Sequence, residues 1–131
     1  MAMITAAVLQ IDPASHTTSK VSVTVRTRYN AHELERMKAG SLKFRLDCRI
    51  WGQDVFDVPP NPDDALWVMG SKFYPDATPA PDESHTFSAV VPNSLLNEDA
   101  GTDEIYARLA LRNLSNFAAV NKKSNVVVRQ R

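Results

Sequence analysis

Arginines and lysines recur at alternate positions along stretches that otherwise read as strands. Lys43, Arg45 and Arg49 interleave with Phe44, Leu46, Cys48 and Ile50, while Arg108 and Arg112 interleave with Ile105, Ala107, Leu109 and Leu111. Arg129 follows in the last apolar stretch. Successive side chains of a strand point to opposite faces, so this spacing puts the cations on one side and the apolar residues on the other. A guanidinium offers a planar fork of donors that matches carboxylates and phosphates, and Tyr106 adds an aromatic beside it. Arg45, Arg49, Tyr106, Arg108, Arg112 and Arg129 are therefore the candidate partner-binding residues, suited to carboxylates, phosphates or an acidic protein surface. The plainer reading is an exposed face kept soluble by its arginines, with Asp47 in its middle.

A second set is acidic. Asp54, Asp57, Asp63 and Asp64 lie in one polar stretch, and Glu98, Asp99, Asp103 and Glu104 in another. Calcium takes about six to eight oxygen ligands, mostly loop carboxylates and carbonyls. Asp57, Asp63, Asp64, Glu98, Asp99 and Asp103 are the candidate ligands, although Gly101 does not fall where a helix–loop–helix calcium site needs its glycine. The plainer reading is a solvated end whose acids bond turn amides.

Signals for an enzyme are poor. Cys48 sits between Leu46 and Ile50 at a core-facing position and reads as an inert thiol. His16, His32 and His85 show no metal-site spacing, and the four glycines form no phosphate loop. The expectation is a non-enzymatic module without a cofactor.

The 131 residues suit one domain spanning 1–131. Lysine plus arginine and aspartate plus glutamate stand at 15 each, so net charge favours neither nucleic acid nor membrane. A lone cysteine forms no internal disulfide. The start, MAMITAAVLQID, lacks a leading cation and is interrupted by Thr5 and Gln10, so it reads as a strand and not as a signal peptide. No window approaches the roughly 18 apolar residues of a membrane span, and a soluble, cytoplasmic protein is the default expectation.

Strand patterns cover residues 3–11, with Ile4, Ala6 and Val8 on one side, and 19–29, with Val21, Val23 and Val25 on one face. They continue over 41–51, 65–74, 84–91, 104–112 and 125–131, with a bulge or break expected at Gly70. Asn30 and Glu33 form a capping-box signature, and Gly40 suits a helix exit, so one short helix is expected near 31–39 with Leu34 and Met37 inward. Proline-rich 52–64 and 75–83 read as loops, and 113–124 as a polar connection. For Trp51, Trp67, Phe44 and Phe87 a core role is expected.

About seven strands with turn signals at short intervals specify an all-β fold, an antiparallel Greek-key sandwich, with a partly open barrel as the alternative. In strand spacing and order the chain resembles the immunoglobulin-like or fibronectin type III-like sandwich. Trp51 at the end of the third strand, and the acidic turn before Tyr106, which resembles a tyrosine corner, carry the likeness. Arg108 shares the parity of Tyr106, so either Tyr106 points outward or a bulge resets the register. The resemblance implies that the two acidic stretches share one end and that the arginine-bearing strands are neighbours. The function expected is a protein-interaction or structural module, binding a protein partner or a second copy through a sheet face or edge strand. The alternative is a calcium-dependent or calcium-stabilised module using the acidic end, and a small enzyme of unrecognised type is a third.

Overall fold

Strand β2 (Thr18–Arg28) shows why this chain builds sheets: Val21, Val23 and Val25 are wholly buried while Thr24 and Arg26 face solvent. β-Branched side chains are stiff and fit a half-buried pleated surface. The computed structural model describes residues 2–52, 64–75, 77–96 and 102–130. In it β2 is the centre of a three-stranded antiparallel sheet, flanked by β1 (Met3–Pro13) and β5 (Asp82–Pro92). The β2–β5 ladder holds one register from Thr18 opposite Pro92 to Arg28 opposite Asp82. The β1–β2 ladder shifts between Ile4 and Ala6. Thr5 is the extra residue, so Ile4 and then Leu9 are buried while Val8 is 54% exposed. The expected shared face of Ile4, Ala6 and Val8 is broken by this bulge.

Between the sheets runs α1 (Ala31–Lys38), started by the expected capping box. The Asn30 side chain accepts from the Glu33 amide at 2.8 Å, and Glu33 accepts from the Asn30 amide at 3.0 Å. Met37 is buried, Leu34 packs against the core, and Gly40 leaves the helix at φ 77°.

The second sheet has five strands. β3 (Phe44–Gly52) lies between β4 (Asp64–Tyr74) and β6 (Thr102–Asn113), and the far side of β6 is shared by β7 (Ala119–Lys123) and β8 (Val127–Gln130). Phe44, Leu46, Cys48 and Ile50 of β3 and Ile105, Ala107, Leu109 and Leu111 of β6 turn inward. They meet Leu9, Val21, Val23, Val25, Phe87 and Val91 of the other sheet in one core. Each valine, leucine, isoleucine or phenylalanine among them contributes about 1.5–3 kcal/mol of transfer free energy, against about 0.5–1.5 kcal/mol net for a typical hydrogen bond. The result is an all-β antiparallel sandwich with two short helices among the described residues, the second being α2 (Asn93–Leu96).

Among the described residues eight strands form where about seven were expected, because the stretch expected as a polar connection contains β7. Its sequence, AVNKK, lacks an apolar alternation; β7 is strand by pairing with β6, which supplies the ladder. Between β7 and β8 the register slips by one residue. Ser124 fills the slip by donating its amide to the Ala107 carbonyl at 2.9 Å and accepting the Ala107 amide on Oγ at 2.8 Å. Of the bulge or break expected at Gly70 the bulge is found, with Cys48 opposite Gly70 but Arg49 opposite Val68. Among the described residues no helix is long and apolar enough to cross a membrane.

Candidate functional site

The register of the five-stranded sheet arranges the outward side chains of β3 and β6 in rows. Arg45 stands opposite Arg112, Asp47 opposite Ala110, Arg49 opposite Arg108 and Trp51 opposite Tyr106. Lys123 of β7 continues the Arg49–Arg108 row, and Phe73 and Val68 of β4 border the two arginine pairs, 61% and 64% exposed. Like charges directly opposed across a ladder destabilise it, so the opposition of these arginine pairs costs the sheet stability.

Among the described residues countercharge on this face is sparse. Arg45 donates from Nε to Asp47, 3.1 Å at the nearer oxygen, and Asp47 also accepts from the Ser71 hydroxyl. Among the described residues no carboxylate stands at ion-pair distance from Arg49, Arg108 or Arg112. The Nε of Arg112 is buried without a hydrogen-bond acceptor among them. A depression of about 260 Å³ lies along Arg45, Asp47, Arg49, Val68 and Ser71, and another of about 450 Å³ along Arg108, Asn121, Lys122 and Lys123. They flank the β3–β6 ladder on either side.

At the Gly52 end of the face the cations stack on rings. The Arg108 guanidinium lies 4.4 Å from the centre of the Trp51 ring, and the Lys123 ammonium 4.1 Å from that of Tyr106. Arg108 also donates to the Tyr106 hydroxyl at 3.3 Å. Arg108 is thereby held in one orientation, with guanidinium donors left over for a partner.

Tyr106 lies on the outward side of β6, outside the core cluster, yet it is fully buried. Of the two alternatives, outward placement is the one found. Trp51 likewise sits on the outward face, half-buried, and its expected core role does not hold; Phe44 and Phe87 are in the core and Trp67 packs against it. Parity decides both cases, since Trp51 and Tyr106 follow the inward Ile50 and Ile105 by one residue.

Arg45, Arg49, Arg108 and Arg112 come together, and Arg129 does not join them. On β8 it has the parity of Val127, which packs on the core, and its Nη2 donates to Ser19 Oγ at 3.4 Å between the sheets. It helps line a depression of about 160 Å³ with Asp12, Thr18 and Asn93.

Of the candidate metal ligands, Asp57, Asp63, Glu98 and Asp99 lie outside the described residues. Asp64 and Asp103 are described as backbone only. Asp64 pairs with Gly52, which also pairs with Ile105, so the backbones of Asp64 and Asp103 leave the sheet at one end. Among the described residues no group of histidine, cysteine, aspartate or glutamate is placed to hold a metal ion.

A buried polar cluster at the other end went unread in the sequence. His85 Nε2 lies 3.0 Å from Thr27 Oγ1 and 3.8 Å from Glu83 Oε2, and the His85 ring stacks on Tyr74 at 4.0 Å. Both oxygens approach the same imidazole nitrogen, whereas activating a nucleophile requires the carboxylate on the other one. Thr27 is fully buried, so this hydroxyl is out of a substrate's reach. The cluster is a packing element.

Asn125 was also missed. Its side-chain amide accepts the Leu9 amide at 2.7 Å and donates to the Leu9 carbonyl at 3.1 Å, tying the edge of one sheet to the edge of the other. Nothing in a lone asparagine before a valine run signals such a bridge. Comparison with family models, curated proteins and solved structures finds no match to this chain.

Proposed function

We propose that this protein is a non-enzymatic interaction module that presents the outward face of its five-stranded sheet to an acidic protein surface. The observation that carries the reading is the direct opposition of Arg49 and Arg108, with Arg45 and Arg112 opposed four positions along. A sheet gains no stability from such pairs, whereas an acidic partner gains charge-assisted hydrogen bonds from each. Exposed Phe73 and Val68 border the same rows and supply apolar contact. The scaffold we infer is of the immunoglobulin-like, fibronectin type III-like kind. Its support is the division of β1, β2 and β5 from β4, β3, β6 and the β7/β8 edge.

Binding of a glutamate-rich peptide at low salt tests the reading. The double variant Arg49→Glu with Arg112→Glu should lose binding while keeping its amide NMR fingerprint. Equal affinity of variant and wild type would sink it.

A second reading, association with another copy through β5, has one observation in its favour. β1 and β4 carry bulges and β7/β8 is broken, but β5 keeps an unshifted register along its whole length and, among the described residues, has no strand on its other side. In an antiparallel β5–β5 pair, Asp82 and Glu83 of one copy fall near Val91 and Pro92 of the other, so no acids oppose. Sedimentation of the wild type against Thr86→Lys with Ser88→Lys decides it: a dimer dissociated by the lysines is required.

A further inference from the structure

The geometry points to a specific ligand pattern for the arginine face: an extended acidic segment whose carboxylates are four residues apart, with a non-acidic residue midway. This rests on the acidic-partner reading and deepens it. The two cationic rows, Arg45–Arg112 and Arg49–Arg108, are separated by four residues along β3 and β6. At about 3.3 Å per residue that is about 13 Å, and an extended peptide lying along the strands advances at the same rate. Its residues i, i+2 and i+4 point to the sheet, and i+1 and i+3 point away.

Asp47 supplies the discrimination. It occupies the middle row opposite Ala110, so no cation stands opposite it, and its carboxylate is fixed by Arg45 and Ser71. A carboxylate at i+2 would face Asp47, and like charges brought together at an interface are strongly rejected. Carboxylates at i and i+4 each meet an arginine pair. Phe73 and Val68 then lie beside the two ends of the segment, one per row. The face thus reads spacing as well as charge.

Three capped heptapeptides of threonine, serine and glutamate test this by NMR titration of the full chain at low salt. One has glutamates four apart around a central serine, one has the same composition with glutamates two apart, and one has serine in place of both glutamates. The first should bind about tenfold tighter than the second, and the third should not bind. Asp47→Asn should shrink the preference to below about threefold by improving the second peptide, and Ala110→Lys, which adds a cation to the middle row, should reverse it. Equal binding of the two acidic peptides to the wild type would overturn the spacing rule and leave the acidic-partner reading standing. A preference unchanged in both variants would overturn the role of Asp47 and with it the proposal. Failure of both acidic peptides to exceed the neutral one would overturn both readings.

Discussion

Arg49 and Arg108 are directly opposed on the β3–β6 ladder, and Arg108 stacks on the Trp51 ring. Opposed like charges cost a sheet about 0.2–1 kcal/mol relative to a neutral pair. Arg49→Glu should therefore stabilise the fold by roughly that amount, read as a higher urea midpoint at unchanged m-value. Added salt should stabilise the wild type and leave the variant unchanged or weaker, because screening relieves repulsion and weakens attraction. Arg49 is the residue to change, since replacing Arg108 also removes its stacking. A lower midpoint for Arg49→Glu at low salt would contradict the account.

Much of the fold was legible because local and global signals agree in it. The valines of β2, the alternation of β3 and the Asn30–Glu33 box each say the same thing at every level. The arginine rows on β3 and β6 were legible too, being a matter of parity on two long strands. What could not be read was set by pairing partners. β7 has no apolar pattern and exists through its ladder with β6; Thr5 and Ser124 shift registers without any glycine or proline to announce it. Arg129 was misplaced because parity along the last strand does not say which side of the sheet is inside until β8 is registered on β6.

Burial pushes the Cys48 thiol from 9.0 up to about 12. The folded thiol stays neutral where the unfolded one has lost its proton, so the unfolded chain binds fewer protons above pH 9 and stability falls as pH rises. The contribution is whole below about pH 9 and is lost between there and about pH 12. Across that window the wild type should lose stability more steeply than Cys48→Ala, by at most about 1.4 kcal/mol per pH unit. Denaturation midpoints of the two proteins at successive pH values check this; parallel slopes would refute it.

Asn125 joins the two sheets through the Leu9 backbone. Asn125→Ala removes the partner of that amide and carbonyl at a part-buried position, which should cost about 0.5–1.5 kcal/mol. Asn125→Asp keeps the acceptor but sets a carboxylate against the Leu9 carbonyl, and should be no better. Hydrogen exchange at the Leu9 amide should speed up in Asn125→Ala, which removes its acceptor, and unchanged protection there would show that the bridge is not formed.

Phe117 adopts φ 62° in the β6–β7 turn and is 71% exposed. A left-handed backbone strains a residue bearing a Cβ by about 1 kcal/mol, and glycine escapes that strain. The turn is fixed by bonds that do not involve the ring, including the Ser115 amide to Asn113 and the Ala118 amide to Asn116. Phe117→Gly should accordingly stabilise the fold by up to about 1 kcal/mol in chemical denaturation, and a loss of stability would show that the ring is packed.

The central claim is that the opposed arginines form a surface for acidic protein segments, and the most direct measurement is the affinity of one glutamate-rich peptide for wild type, Arg49→Glu and Arg112→Glu at two salt concentrations. The account predicts wild-type binding that weakens as salt rises and falls by about tenfold or more in each variant. Binding that is insensitive to salt and equal in all three proteins would contradict it.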